Sequence, residues 1–394
     1  MNYHIITQEK FFHAYIEDIY LLHEEQNNVI WVRGNEGKND FFQTDRSIEY
    51  LGNDAEYYKK KLSQLKPDDK LFVSWYDTFI GNIILEMNLP NPLYVYLLGA
   101  EFYSFPYWWH AEWMFDSRTK RKVKQLRLYP RFFPKGKPWL WYRCKNWWKF
   151  KHEVRIEYEA KLRTMQRIDY IVITEHSGPE VELVKRLYPG CHAKHAVGTF
   201  DQNFDIAKSK PLKAVPDEDE PLKILFGNSS DPNGNHMDAI HYIEKKIAKP
   251  YEVYSFLSYG DVESKEWTIE YAKQHLGKSF HAITDFMDRE AFVSLVQEMD
   301  VVMMYHNRQQ AEGNIMTALV LGKPVFMKRR NPQYDMLKRI GVQSVYDVTE
   351  MHKVNLREAI RNAQKHREET MRAIEMEYSD ATRLEHLKKL LKKE

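Results

Sequence analysis

Short apolar runs alternate with helical patterns along most of this chain, and that alternation limits its fold more than any other feature. Amphipathic patterns at 11–25 and 53–66 predict helices in the first half. Strands separated by helices pair in parallel, so this order favours a sheet with helices on both faces. The apolar runs that predict the strands of the first half are 3–7, 28–34, 70–76, 93–99 and 169–174.

The alternation starts again after the polar, proline-bearing segment 209–223, which has the composition of a linker. A chain of 394 residues is also long for one compact domain, so two Rossmann-like α/β domains are expected. We assign the N-terminal domain to 1–205, the C-terminal domain to 206–365 and a charged helical end to 366–394. The predicted strands of the second half are 223–228, 251–260, 280–287, 300–306 and 323–329, and its helices are 236–248, 264–276, 288–298 and 313–321.

The composition is that of a globular protein, with 43% hydrophobic and 29% charged residues and a formal net charge of +2. The first residues lack the pattern of a secretion signal, and Cys144 and Cys191 lack metal-type spacing, so we expect reduced thiols and a cytoplasmic location. The span 78–109 is poor in charge. Its prolines and acidic residues are incompatible with a membrane helix, so buried strands and turns are expected there.

A polar loop between a predicted strand and a predicted helix of the second half suits an anion. Small residues let backbone N–H groups approach a phosphate, and the following helix offers its positive end. The spacing matches neither the dinucleotide pattern GxGxxG nor a P-loop. An ordinary polar connection, with a helix N-cap near Asn235, fits the residues equally well. The candidate donor-binding residues in this loop are Gly227, Asn228, Ser229, Ser230, Asp231, Asn235 and His236.

A second polar loop, 307–314, also joins a strand to a helix and favours the anion interpretation. In a doubly wound sheet both loops lie at the carboxyl ends of their strands, where ligands bind. Arg308 is expected to offset the charge of a diphosphate, and Glu312 to accept hydrogen bonds from a ribose. The remaining candidates in this loop are Gln309, Gln310, Gly313 and Asn314. Two such loops in one half, one of them with an arginine, are typical of a nucleoside diphosphate site.

Three residues of the first half follow predicted strands and are candidates for acid–base chemistry. Glu101 and Asp77 come just after apolar runs, and His176 follows another. A carboxylate buried at such a position has a raised pKa and suits a general base. For each residue, a role as a helix cap or turn residue is an equal alternative.

The segment 106–153 combines aromatic and basic residues, with thirteen Lys or Arg against three acidic residues. Such a segment suits docking to an anionic membrane surface, with rings at headgroup depth. A helical hairpin with a Trp core is the alternative, and binding of nucleic acid is a weaker one because no nucleic-acid motif is present. We expect no nucleic-acid partner. The segment contains seven of the chain's ten tryptophans, which are Trp108, Trp109, Trp113, Trp139, Trp141, Trp147 and Trp148.

Four stretches of the sequence resemble glycosyltransferase family 56, the TDP-Fuc4NAc:lipid II transferases. They read ILFGNSSDPNGNH, LLGAEFY, NRQQAEGN and GKPVFMKRRNP, where the family has motifs such as GNSGDxxxxH, WGADLY and RQQGIGT. The resemblance extends in order over 70–380. Glu101 replaces the family's Asp and keeps the carboxylate, whereas 311–314 replaces a glycine-rich continuation that bears on nucleotide or sugar selectivity.

The resemblance implies two Rossmann-like domains that face a cleft, the GT-B type, without a metal or another cofactor. The C-terminal domain would hold a nucleotide-sugar donor, dTDP-linked in the family. The N-terminal domain, with its inserted membrane-facing segment 106–153, would hold a polyprenyl-diphosphate-linked acceptor at the cytoplasmic face of the membrane. The segment 366–394 would cross back to the N-terminal domain. A GT-B enzyme that uses a UDP- or GDP-sugar for capsule, lipopolysaccharide or teichoic acid stays an alternative, as does a non-catalytic membrane- or nucleic-acid-binding protein.

Overall fold

A computed structural model describes residues 1–34, 42, 44–103, 111–125, 140–200 and 204–392. The chain forms two compact units, and each contains segments that are distant in sequence. The first unit comprises Met1–Pro106, His152–Gln202 and Met376–Glu394, and the second comprises Tyr107–Lys151 and Asn203–Glu375. Most of the aromatic and basic segment therefore belongs to the second unit, whereas its position in the sequence predicts an insertion in the N-terminal domain.

The first unit is built on a parallel sheet of seven strands in the order β3-β2-β1-β4-β5-β6-β7. The strand order reverses between β1 and β4, as in doubly wound folds. The strands are β1 Asn2–Ile6, β2 Asn28–Arg33, β3 Glu49–Gly52, β4 Lys70–Val73, β5 Leu93–Tyr96, β6 Tyr170–Ile173 and β7 Lys194–Val197. The helices among them are α1 Lys10–Leu21, α2 Ala55–Leu62, α3 Thr78–Glu86, α4 Ala100–Tyr103, α5 Ala111–Met114, α6 Ser117–Val123, α7 Leu140–Gln166 and α8 Pro179–Leu187; α5, α6 and the start of α7 belong to the second unit.

The second unit has a parallel sheet of six strands in the order β10-β9-β8-β11-β12-β13. The strands are β8 Leu222–Phe226, β9 Tyr251–Phe256, β10 Phe280–Ile283, β11 Val301–Met304, β12 Val325–Met327 and β13 Val345–Asp347. The helices from residue 205 onward are α9 Asp205–Ser209, α10 His236–Lys246, α11 Val262–Leu276, α12 Arg289–Glu298, α13 Glu312–Val320, α14 Pro332–Arg339, α15 Leu356–Lys365, α16 Arg367–Tyr378 and α17 Asp380–Leu391, the last of which lies in the first unit.

The last helix, α17, packs into the core of the first unit. Leu387, Leu390 and Leu391 lie in the same apolar cluster as residues of β1, β2 and α1. Arg383 forms a buried ion pair with Asp18 of α1, with 2.9 Å between Nε and Oδ2. The C-terminal segment is therefore a structural part of the first unit.

Every apolar run that the sequence analysis assigns to a strand contains one, but three strands are absent from that prediction. β3, β7 and β13 each have three or four residues and lie at an edge of a sheet, where partial exposure weakens the apolar pattern.

The assignment of 78–109 to strands and turns is wrong over Thr78–Glu86, which is α3. Asp77 caps α3 by accepting a hydrogen bond from the Ile80 N–H. Four of the nine residues of α3 are buried.

Candidate active site

The two polar loops of the second unit follow neighbouring strands at the centre of its sheet. β8 and β11 are paired, with Ile224 opposite Val301, and the strand order reverses between them. In open α/β sheets ligands bind beyond the carboxyl ends of the strands at this reversal. The sequence prediction that both loops lie at one sheet edge is therefore confirmed.

Side chains of the two loops are in direct contact. The Gln310 side-chain amide donates to Asn228 Oδ1 at 3.0 Å, and Asn228 Nδ2 donates to the Tyr259 hydroxyl at 3.1 Å. Ser230 adds hydrogen bonds from its N–H and hydroxyl to the Tyr259 carbonyl. A Cβ at Gly260 would lie 3.0 Å from the Asp231 nitrogen, so a third loop, after β9, also approaches closely. These contacts give the loop residues fixed positions.

The helices that follow these loops begin without a side-chain cap. Asn235 and Ala311, the residues before α10 and α13, have φ angles of 55° and 62°, and neither cap position makes a side-chain cap hydrogen bond. The first N–H groups of a helix have no partner within the helix and carry partial positive charge. Two such helix ends at adjacent strands form a suitable environment for a diphosphate.

Two of the predicted donor-binding residues are fully buried and have other contacts. His236 Nε2 donates to the Ser229 carbonyl at 2.8 Å, and burial lowers the pKa of His236 to about 4. Asn235 Nδ2 donates to the carbonyls of Met114 and Tyr305. His236 and Asn235 therefore stabilise the loop conformation through buried hydrogen bonds to backbone carbonyls. Arg308, Gln309, Glu312, Gly313 and Asn314 are partly exposed, and Arg308 donates to the Gln309 carbonyl at 2.7 Å.

The predicted carboxylates of the first unit follow β4 and β5 and differ in their surroundings. Asp77 is partly exposed, caps α3 and pairs with Arg33 at 2.9 Å. Glu101 is buried, and its Oε1 accepts hydrogen bonds from the N–H groups of Leu98 and Gly99. Its Oε2 has no hydrogen-bond partner among the described residues. Burial raises the pKa of Glu101, opposed by backbone hydrogen bonds and the charge of Lys161.

Lys161 of α7 is a residue of this region that sequence reasoning misses. It is buried, it donates to the Tyr76 carbonyl at 3.4 Å, and burial lowers its pKa to about 8 against the opposing charges of Glu101 and Asp77. Its sequence context, a long helix of mixed polarity, gives no sign of burial.

The third predicted acid–base residue, His176, has a structural contact. It binds Glu377 through its N–H and Nδ1, at 3.0 and 2.6 Å, and so anchors the C-terminal segment.

The predicted membrane-facing tryptophans are described only in part. Trp108, Trp109 and Trp139 lie outside the described residues, as does the side chain of Trp141. Trp148 is 71% exposed, and Lys151 Nζ lies 5.2 and 6.0 Å from the ring centroids of Trp147 and Trp148. Trp113 faces the Arg330 guanidinium at 5.7 Å. Within the described ranges, no helix is long and apolar enough to cross a membrane.

The C-terminal part of the chain has the sequence pattern of a known glycosyltransferase family. Residues 198–386 match the model described as 4-alpha-L-fucosyltransferase, glycosyl transferase group 56. This range contains both polar loops of the second unit. The predicted resemblance to family 56 is thus confirmed over these residues.

Solved glycosyltransferase structures resemble this chain along nearly its whole length. A sucrose-phosphate synthase from Thermosynechococcus elongatus has a TM-score of 0.60 and 10% identity, over 99% of this chain and 98% of that chain. WaaG, a glycosyltransferase involved in lipopolysaccharide biosynthesis, has a TM-score of 0.55 and 12% identity, over 99% and 98% of the two chains. At such identities the similarity shows the fold, which is GT-B. The chain is a glycosyltransferase of the GT-B fold whose residues 198–386 match glycosyltransferase family 56.

Proposed function

We propose that this glycosyltransferase takes its sugar from a dTDP-linked donor, a deoxyamino sugar as in the family it resembles, and transfers it to a polyprenyl-diphosphate-linked glycan. The donor diphosphate binds at the loops 227–236 and 307–314. The acceptor hydroxyl is deprotonated by a carboxylate of the first unit. The enzyme acts at the cytoplasmic face of the membrane as a peripheral protein.

The observation that carries the donor site is the pair of uncapped helix starts at the strand reversal of the second sheet. Their N–H groups and the Arg308 guanidinium offset the charge that develops on the diphosphate as it leaves. Asn228 and Gln310, already bonded to each other, set the spacing of the two loops. Because these groups have fixed positions before the donor binds, they lose little further freedom on binding.

Glu101 is the proposed general base. Its buried Oε2 and raised pKa suit a carboxylate that takes a proton from a hydroxyl. The acceptor oxygen forms a bond to the anomeric carbon while the bond from that carbon to the diphosphate oxygen breaks. The proton goes to Glu101, and the electron pair leaves with the diphosphate. Asp77 is a less suitable base because a helix N–H and Arg33 already occupy its two oxygens.

The membrane part of the proposal is supported by the exposed ring of Trp148 beside Lys151. Tryptophan and lysine side chains together suit the headgroup region of an anionic bilayer. An enzyme with a lipid-linked acceptor has to reach the membrane surface. The aromatic and basic segment would meet this need, and its described part contains no helix that could span the bilayer.

Binding of dTDP, UDP, GDP and CDP, measured by thermal shift, tests the donor site. A nucleotide at about 100 times its Kd adds about 2.7 kcal/mol to the free energy of unfolding. We expect dTDP to give the largest shift; a larger shift with UDP or GDP would select the alternative donor. Absence of any shift with all four nucleotides would contradict the proposal.

The variant Arg308→Ala tests the assigned cation. Loss of a charge-assisted hydrogen bond to the diphosphate should raise the Kd by about 10- to 100-fold. Arg155→Ala is the matched control, since Arg155 is 74% exposed and pairs with Glu159 one turn along α7. This control removes the same charge from the chain and should leave the Kd unchanged. Equal Kd values for both variants would show that Arg308 does not bind the diphosphate.

A further inference from the structure

The two donor loops share a contact with a segment from a distant part of the sequence. The side-chain amide of Asn307 donates to the carbonyls of Trp113 and Met114, at 3.0 and 3.1 Å. The side-chain amide of Asn235 donates to the same Met114 carbonyl at 3.0 Å. Both asparagines are fully buried. The turn between α5 and α6 is therefore bonded to both loops at once, entirely within the second unit.

Asp116 is the centre of this contact. Its backbone N–H donates to Asn235 Oδ1 at 2.7 Å, and its Oδ1 accepts from Asn307 Nδ2 at 3.1 Å. Its Oδ2 accepts a hydrogen bond from the Lys328 ammonium group, just after β12. Lys328 also donates to Asn307 Oδ1 at 3.0 Å. Asp116 thus connects three loops: its carboxylate binds residues after β11 and β12, and its backbone N–H binds Asn235 in the loop after β8.

The charge on Lys328 depends on this carboxylate. Lys328 is buried, and its Nζ lies 4.0 Å from the ring centroid of Tyr305. Burial lowers the pKa of Lys328, and the charge and hydrogen bond of Asp116 oppose this shift. Among the other nearby groups, Asp238 also raises the pKa of Lys328 and Arg330 lowers it. A buried ammonium group without its anion is costly, so the loops have to rearrange if Asp116 is lost.

The bonded asparagines directly precede the elements assigned to the donor. Asn235 comes immediately before α10, and Asn307 comes immediately before Arg308. A displacement of either asparagine therefore moves a helix start or the cation. Misplacement by about 1 Å is enough to lower activity by two orders of magnitude in other enzymes.

We propose that Asp116 is a positioning residue of the donor site, which holds the loops after β8, β11 and β12 at the spacing that a nucleoside diphosphate requires. Asp116 does not touch the donor; it acts through Asn235, Asn307 and Lys328. The inference rests on the proposed function. The segment that bears the tryptophans thereby contributes to donor binding, in addition to its proposed contact with the membrane.

The test compares nucleotide affinity and kinetics in Asp116→Asn, Asp116→Glu and Asp300→Asn. Asp300 directly precedes β11, at the end of that strand opposite to the loops, where its Oδ1 pairs with Lys213 at 2.5 Å and its Oδ2 accepts from the Lys223 N–H at 2.8 Å. Asp300→Asn breaks a comparable carboxylate–lysine pair in the same unit and is the matched control. Calorimetry with dTDP, UDP, GDP and CDP gives Kd, and a transfer assay gives the donor KM and kcat.

We expect Asp116→Asn to raise the nucleotide Kd and the donor KM by about 10- to 100-fold. It should also lower kcat, because the displaced N–H groups and Arg308 stabilise the leaving diphosphate. Asp116→Glu should recover part of the affinity, because it keeps a carboxylate for Lys328. Asp300→Asn should lower the melting temperature and leave the Kd unchanged. A wild-type Kd for folded Asp116→Asn would overturn the inference and leave the donor site intact.

Two further outcomes are also decisive. If Asp116→Asn does not fold, the double variant Asp116→Asn with Lys328→Met removes the unpaired buried charge and is measured instead. A wild-type Kd in the folded double variant would refute the positioning role, and a raised Kd would support it. If the wild-type protein binds none of the four nucleotides, the donor site itself is wrong and the inference is wrong with it.

Discussion

The carboxyl edges of the two sheets have opposite chemical character, although both sheets have the same order around their first strand. In the second unit the loops after β8 and β11 contain mainly amides and hydroxyls, with Arg308 and one carboxylate, Asp231, and they precede helices without side-chain caps. In the first unit the carboxylates Asp77 and Glu101 follow β4 and β5, and Lys161 is buried near them. The same topology thus presents mainly N–H groups in one unit and carboxylates in the other.

This difference fits the proposed function, in which one unit would hold the leaving diphosphate and the other would accept the proton of the nucleophile. An edge rich in N–H groups stabilises an anionic leaving group. An edge with a buried carboxylate accepts a proton from a nucleophile. The comparison predicts that variants of the first edge change the rate of transfer, whereas variants of the second change donor affinity or the stability of the loops.

The largest expected effect is that of Glu101→Gln on transfer. A general base contributes roughly 10²- to 10⁴-fold to a rate, and the amide cannot take the proton. The Gln side chain keeps an oxygen for the Leu98 and Gly99 N–H groups, so the fold should persist. Single-turnover rates and the nucleotide Kd are to be measured together. A lost rate with an unchanged Kd would sharpen the contrast between the two edges.

Asp77→Asn is the control for this variant at the same edge. It weakens the cap of α3 and the ion pair with Arg33, so it should lower stability by about 1 kcal/mol. Its rate should fall much less than that of Glu101→Gln. The reverse order of rates would make Asp77 the base.

A second prediction concerns acid stability of the second unit. His236 is fully buried, and burial lowers its pKa from 6.5 to about 4. Between these two pH values the unfolded chain binds a proton at His236 and the folded unit does not. Stability from this residue is complete above pH 6.5 and falls as the pH drops to about 4. The loss is about 3 kcal/mol, at about 1.4 kcal/mol per pH unit. Hydrogen exchange of β8 between pH 7 and 4.5 measures it.

His236→Gln removes this titration and keeps a donor for the Ser229 carbonyl. The dependence of β8 protection on pH should become shallower, although His306, whose pKa is also lowered by burial, keeps part of it. β1, in the first unit, is the internal reference and should keep its wild-type profile. An unchanged slope for β8 would show that His236 does not contribute to acid lability.

A third prediction uses the buried charge at the first edge. The ammonium of Lys161 lowers the pKa of Glu101, against the larger effect of burial. In Lys161→Met this pKa should rise further, and the acid limb of the pH profile of kcat/KM should move to higher pH. Arg155→Ala, on an exposed face of the same helix, should leave the limb in place. An acid limb that does not move in Lys161→Met would show that Lys161 does not affect the pKa of the general base.

Local patterns are sufficient to predict ten of the thirteen strands in the described residues and the two polar loops. The apolar runs of the central strands and the loop 227–236 stand out because buried strands and small polar residues differ so strongly in composition. The prediction failed where a role depends on distant contacts. Asp116 lies in a segment that reads as aromatic and basic, and Lys161 lies in a helix of mixed polarity. The contacts of both residues depend on the packing of other elements.

Three of the four edge strands are absent from the prediction for a related reason. β7 has one exposed residue and three partly buried ones, so its apolar period is weak. The grouping of Tyr107–Lys151 with the second unit likewise has no local signature, since it depends on hydrogen bonds from Asn235 and Asn307. The sequence predicts that this segment is an insertion in the N-terminal domain, whereas its contacts group most of it with the second unit.

The smallest expected effect is on membrane binding, and it tests whether the aromatic segment has two roles. Trp148→Ala removes an exposed ring, and Lys151→Gln removes the cation beside it. Each change should cost about 1 kcal/mol of affinity for anionic vesicles, or about fivefold in Kd. Neither residue bonds the donor loops in the described part of the chain, so nucleotide affinity should stay at its wild-type value. Deletion of the whole segment cannot make this distinction, because it also removes Asp116. Wild-type binding to anionic vesicles by both point variants would leave this segment with a role in the donor unit alone.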